Sequence, residues 1–84
     1  ILHTTISLTG DWTQWKAGSY TEVLTPQAPY ECTEMAEEPS QVGEIYGPAK
    51  QLRDPALYVE DGKIYLFYTV CGEQGVGLAE VKLP

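Results

Sequence analysis

Residues 51–80 read QLRDPALYVEDGKIYLFYTVCGEQGVGLAE, and this stretch decides the fold. Asp61-Gly62 within it is the pair that a two-residue hairpin turn of the primed type requires, because both central residues must take positive φ. Residues 56–59, ALYV, lead into the turn as a strand, and residues 64–70, IYLFYTV, return from it. Alternation sets Ile64, Leu66, Tyr68 and Val70 on one face and Tyr65, Phe67 and Thr69 on the other. Both faces are apolar, so a packed layer is expected on each side. Gly72-Glu73-Gln74-Gly75 reads as the next turn. Residues 76–81, VGLAEV, read as a third strand in which Gly77 allows close approach by a neighbour. At the start of the stretch, Asp54-Pro55 is expected to turn the chain, since an Asp side chain bonds nearby backbone and Pro presets φ.

Upstream, residues 1–8 read as a strand, with β-compatible Thr4, Thr5, Ile6 and Ser7 and no helical period. Thr9-Gly10-Asp11 breaks it. Trp12 and Trp15 follow three residues apart, placed to fold back over the sheet and cap its open end, or to offer a stacking platform for a sugar ring. A second turn at residues 16–19 and a second strand at 20–24, ended by Pro26, complete a hairpin or edge pair.

Between residues 25 and 50 the character changes. Four prolines punctuate it, and Glu31, Glu34, Glu37, Glu38 and Glu44 occur with no Lys or Arg between Lys16 and Lys50. So little apolar content cannot make a core. The segment reads as a solvated acidic loop, with one or two helical turns at 31–38 stopped by Pro39. A cation site on Glu31, Glu34, Glu37 and Glu38, with oxygen ligands suited to calcium, and a catalytic loop remain open, since long loops in compact domains are often functional.

The whole is 84 residues, one small domain in the size range where a single core is only marginally stable. The expected class is all-β, an antiparallel meander. A net charge of −7 argues against nucleic acid, which needs a basic footprint, and against an anionic membrane surface. No apolar run approaches the roughly 20 residues of a membrane-spanning helix. Residues 1–6 show neither the basic leader nor the apolar length of a signal peptide. The chain opens at Ile1 as if in mid-strand and is read as a mature product or a piece of a longer one. Cys32 and Cys71 are too few for a disulfide framework and lack metal-ligand spacing, and no cofactor is implied. Cys71 reads as a small apolar residue after a strand. A bond between the two stays open, because sequence does not supply the geometry it needs.

The pattern RDPALY-x-EDG-K-IYLFYT followed by GEQGVGLAEV resembles one blade of the five-bladed β-propeller glycoside hydrolases, the superfamily around glycoside hydrolase families 43 and 32. The earlier ISLTGDWTQWKAGSYTEVLTP is similar to the outer strands of a preceding blade. The resemblance implies residues 1–25 as outer strands of one blade, 26–50 as an acidic loop and 51–84 as the following blade. It implies that Arg53 and Asp54 match an Arg-Asp-Pro motif whose Asp holds substrate hydroxyls or stabilises the transition state. Glu31-Cys32 is similar to a Glu-Cys motif that carries the acid/base, here preceding the Arg-Asp-Pro blade and followed by Thr33 where Pro is usual. Asp54 and Glu31 are thus the candidate catalytic carboxylates, with Arg53 and Trp12 as candidate carbohydrate contacts.

Propellers have typically 4–8 blades, and at roughly 40–50 residues per blade this chain supplies fewer than two. It is expected to be a fragment or truncated relative of a propeller glycosidase, inactive alone, completed by further copies or by the remaining blades of a longer chain. The alternative is a small acidic β module that oligomerises through its apolar sheet faces.

Overall fold

The computed structural model describes residues 1–83. The architecture is all-β: a two-stranded ladder of β1 (Leu2–His3) and β2 (Thr21–Glu22), and a three-stranded antiparallel meander of β3 (Arg53–Glu60), β4 (Lys63–Val70) and β5 (Gly75–Val81). Asp61 and Gly62 take φ of 51° and 74°, as the primed turn demands, and pin the register so that Glu60 faces Lys63 and Leu57 faces Leu66. From there β4 runs in unbroken register along β5, with Leu66 opposite Ala79 and Tyr68 opposite Gly77.

That last pair is a close fit. A Cβ at position 77 would lie 2.7 Å from Tyr68 Cε2 and Cζ, so the phenol ring occupies the space a side chain would need. Glycine there is a packing requirement, as the sequence suggested.

One face of the meander is covered over β4 and β5, while Leu57 and Val59 of β3 on that same face stay exposed. Leu66, Tyr68 and Val70 are buried at its centre, with Ile1, Leu24, Leu52, Ala79 and Val81 packed around them. Ile1 and Leu24 reach them because their backbones are bonded together: the Ile1 nitrogen donates to the Leu24 carbonyl at 2.8 Å and the Val23 amide to the Ile1 carbonyl at 3.0 Å. The other face, expected to be covered as well, is open. Tyr58, Phe67, Val76 and Leu78 are exposed there.

The N-terminal hairpin is slighter than the sequence suggested. Only four residues form ladder, extended by an isolated bridge between Ile6 and Ala17. The tryptophans do not fold over the sheet. Trp12 opens a 3₁₀ turn, Trp12–Gln14, capped by the Asp11 side chain, and is 74% exposed. The Trp15 indole N–H spends its donor locally, on the Thr9 carbonyl at 3.0 Å.

Residues 26–50 form an irregular, acidic segment, with one 3₁₀ turn at Pro29–Glu31 in place of the helical turns expected at 31–38. It is nonetheless tied down. Cys32 and Cys71 form a disulfide across 39 residues of sequence, so Cys71 is a covalent anchor and not the small packing residue that its position after a strand suggested. Among the described residues, no helix is long and apolar enough to cross a membrane.

Candidate functional site

One end of the meander gathers the chemistry-bearing residues. β3 starts there with Arg53 and Asp54, β4 ends there at Val70, and the turn before β5 carries Cys71 and Glu73. The disulfide brings Cys32, and with it Glu31, to the same end.

Asp54 lies inside β3 and not in a turn before it. Arg53 pairs with Thr69 and Ala56 with Phe67, and the register shifts between Arg53 and Ala56. The irregularity is a β-bulge, which bends the strand and re-aims a side chain. Asp54 takes φ 50° there and is exposed. Asp is among the few residues that tolerate left-handed backbone, and Pro55, with no N–H to donate, belongs at a bulge or on an edge strand. The same two residues that read as a turn therefore read as a bulge once strands flank them on both sides.

Arg53 is engaged with its own chain. Its Nη2 donates to the carbonyls of Gln41 at 3.0 Å and Gly43 at 2.8 Å, and Nη1 lies 3.7 Å from Glu73 Oε1. Glu73 Oε2 in turn accepts from the Ile45 amide at 2.9 Å. Guanidinium and carboxylate together hold residues 41–45 against the sheet end. The segment and sheet enclose a cleft of about 240 Å³ lined by Glu38, Gln41, Glu44, Gln51 and Arg53, among others. Gln51 donates its amide to the Glu38 carbonyl at 3.3 Å, while its Oε1 is buried without a partner.

Glu31 is 3% exposed and is the buried charged side chain of the core region. Its Oε1 accepts from the amides of Gln27 and Ala28 at 3.1 and 2.9 Å, closing the start of the 3₁₀ turn. Its Oε2 is buried without a hydrogen-bond partner. Tyr68 lies beside it: burial first, then the charge of Glu31 and the neighbouring Tyr30, push the Tyr68 hydroxyl up to about 12. Glu34, Glu37 and Glu38 remain exposed. Among the described residues no three acidic, His or Cys side chains converge as a metal site, and with Glu31 folded inward the four glutamates do not assemble the cation cage considered above.

The structure thus brings Arg53, Asp54 and Glu31 to one end of the sheet but gives them different lots: Asp54 exposed, Arg53 bonded to carbonyls, Glu31 buried. Trp12 sits near the tip of the N-terminal hairpin. No hydrogen bond or ion pair among the described residues joins it to the other three. Three residues of this end were not singled out by sequence. Glu73 read only as part of a turn, Tyr68 only as one face of a strand, and Gln51 only as the first residue of the stretch 51–80, and nothing local distinguishes their second roles. For the burial of Glu31 a signal existed: a Glu two residues after Pro29, at the third position of a proline-initiated turn, is placed to bond back to the turn's first amides.

Comparison with known proteins adds a relative without a described role. Uncharacterized protein R118 of Acanthamoeba polyphaga mimivirus is 41% identical over 85 residues, a match that takes in all of this chain and 23% of the viral protein. The chain therefore spans about a quarter of the length of the curated relative it matches. No family model matches the chain, and no solved structure matches it.

Proposed function

We propose that the chain is a blade-type unit of a longer propeller protein of the glycoside hydrolase kind, contacting carbohydrate through Asp54 and unable to cleave a glycosidic bond by itself. The observation that carries this reading is the state of Asp54: an exposed carboxylate held at φ 50° within a β-bulge, on a sheet end whose neighbouring loop is clamped by Arg53 and Glu73. Uncommon backbone conformations at rigid, exposed positions concentrate at binding sites. Arg53 positions the loop, and Asp54 meets the sugar hydroxyls.

Cleavage needs two carboxyl groups, roughly 5–5.5 Å apart for retention or 6.5–9.5 Å for inversion, one on each side of the bond. Glu31 does not supply the second. Its carboxylate is buried and half committed to backbone amides. The open face bearing Tyr58, Phe67, Val76 and Leu78 is what a blade presents to a neighbour, and the viral relative has ample length for further blades.

Titration with neutral oligosaccharides, followed by amide chemical shifts, is expected to perturb Asp54 and Ala56 and to lose that response in Asp54→Asn. Shifts that persist in Asp54→Asn, or no response to any sugar of a broad panel, would overturn the carbohydrate reading. Turnover of an aryl glycoside by the 84-residue chain, abolished in Asp54→Asn, would overturn the claim of inactivity.

The open apolar face also favours a second reading, a small acidic module that associates through it. Light scattering separates the two. A defined oligomer that Phe67→Lys dissociates supports the module, whereas ill-defined association supports a blade lacking its neighbours.

A further inference from the structure

The attachment of residues 25–36 to the sheet is unlike that of the rest of the acidic segment. Residues 37–51 are held to the sheet by many polar contacts: Arg53 to Gln41 and Gly43, Glu73 to Ile45, Gln74 to Tyr46, the Ala49 amide to the Cys71 carbonyl and the Gly72 amide to the Gln51 carbonyl. Residues 25–36 have no such set. Apart from the Tyr68 hydroxyl, which lies within reach of Tyr30 and Glu31, their hydrogen bonds are local: Glu31 to Ala28, Cys32 to Pro29 and Met35 to Cys32 along the backbone, and the Glu31 carboxylate to the amides of Gln27 and Ala28. What docks them on the sheet is the Cys32–Cys71 bond and the burial of Glu31 beside Tyr68.

Both of those ties carry a cost that the covalent bond sustains. Cys32 sits at φ 60°, in the left-handed region that residues with a Cβ avoid. Glu31 Oε2 is buried without a partner, where a carboxylate released to water would be fully solvated. Once the sulfurs separate, the Cys32 backbone and the desolvated Glu31 carboxylate both favour leaving. The sheet itself does not depend on the bond, since β3, β4 and β5 are joined by their own hairpins and ladders.

We propose that Cys32–Cys71 is a reversible thiol–disulfide site that controls whether residues 25–36, with Glu31, are docked on the sheet end. The reductant is a low-molecular-weight or protein thiol. Its thiolate attacks one of the half-buried sulfurs, a mixed disulfide forms, and the other cysteine sulfur leaves with the electron pair and takes up a proton. A second thiolate resolves the mixed disulfide, so the reductant ends as its own disulfide and the protein has gained two electrons and two protons. Undocking moves the buried carboxylate of Glu31 out to solvent, at the end of the sheet where Asp54 is exposed. The device stands on docking alone and is independent of what Asp54 binds.

The test uses the full chain in oxidised form, in a glutathione buffer of cytosolic composition, and as the C32S/C71S double variant. Each is exposed to a glutamyl endopeptidase while amide exchange is followed in parallel. The proposal expects glutathione to reduce the bond. It expects cleavage after Glu31 and Glu34 to rise at least tenfold in the reduced protein and in the double variant, with amides of Leu66 and Tyr68 protected as before. Equal cleavage in oxidised and reduced protein would overturn it. So would loss of sheet protection together with the bond, which would make it a structural staple, or resistance to glutathione without denaturant.

Discussion

Replacing Gly77 by alanine sets two opposing effects against each other, and the structure says which one wins. Alanine in a strand interior is preferred to glycine by about 0.5–1 kcal/mol, because glycine loses more backbone freedom on folding. Against this, the new Cβ would sit 2.7 Å from Tyr68 Cε2 and Cζ and 2.9 Å from Oη, where carbon atoms prefer roughly 3.5–4.0 Å. The contact is with the ring itself. That ring is 4% exposed and packed in the cluster with Leu66 and Val70, beside buried Glu31, so it has no free direction in which to retreat. Overpacking of this kind costs about 1–3 kcal/mol, which outweighs the propensity gain. A net loss of about 1–2 kcal/mol corresponds to a fall in Tm of roughly 5–15 °C for a domain of this size. The assay is urea unfolding followed by tyrosine fluorescence, run as a cycle with Tyr68→Leu. On the Tyr68→Leu background the clash is absent, and Gly77→Ala is expected to be neutral or stabilising, with a coupling above about 1 kcal/mol. A Gly77→Ala protein within about 0.5 kcal/mol of the parent, or strict additivity in the cycle, would refute the reasoning.

Three further outcomes follow from the same geometry. Gly62→Ala meets no neighbouring atom within 4 Å but keeps φ at +74°, so it should cost about 1–2 kcal/mol from backbone strain alone and show no coupling to any side chain, measured by urea unfolding. Arg53→Ala should free residues 41–45, costing about 1–3 kcal/mol for charge-assisted hydrogen bonds to Gln41 and Gly43 and raising exchange of the Ile45 amide more than tenfold while β4 amides stay protected. Tyr68 supplies a pH signature: its hydroxyl is pushed up to about 12 in the fold, against the ordinary 10.0 of an unfolded chain. Between those values the unfolded chain has released the proton and the folded one retains it, so stability is unaffected below pH 10 and falls as pH rises towards 12. In Tyr68→Phe, alkaline unfolding monitored by circular dichroism should lose that component.

What could be read from the chain in advance was whatever depends on neighbours in sequence. Asp61-Gly62 announces its turn because positive φ is a property of the dipeptide, and Gly77 announces a close approach because a strand glycine has few other reasons to exist. The partner of that approach, Tyr68, is also the register partner of Gly77 once the hairpin is built, so this contact could be inferred by counting. Cys32 and Cys71 could not be paired that way. Their meeting depends on how residues 33–50 fold back, and that path is set by Arg53 and Glu73 bonding to backbone carbonyls and an amide, which side-chain patterns do not encode. Asp54 was ambiguous for a different reason. Turn and bulge share the same local chemistry, and only the ladder on either side, Arg53 with Thr69 and Ala56 with Phe67, decides between them. The tryptophans misled because large apolar area suggested burial, while the Trp15 N–H had a carbonyl six residues away at Thr9.

The apolar second face of β4 bears on function more directly than on the fold. Phe67 faces Leu78 across one pair and Ala56 across the other, with Tyr58 and Tyr65 alongside, their rings tilted by 31° at 6.5 Å between centres. A sheet that ended its packing at this face would gain by carrying polar residues there, as antiparallel sheets with one wet side do. Apolar side chains at Tyr58, Phe67, Val76 and Leu78 instead leave a contiguous patch of the kind that marks an interaction surface. The charge distribution agrees: the carboxylates cluster in residues 31–44 and at the sheet end, while the patch itself is interrupted only at its margin by Glu60, Lys63 and Glu80. The chain thus separates two surfaces, an acidic end where Asp54 is exposed and an open apolar face. The proposed blade would use both, whereas a free-standing carbohydrate module would use only the first.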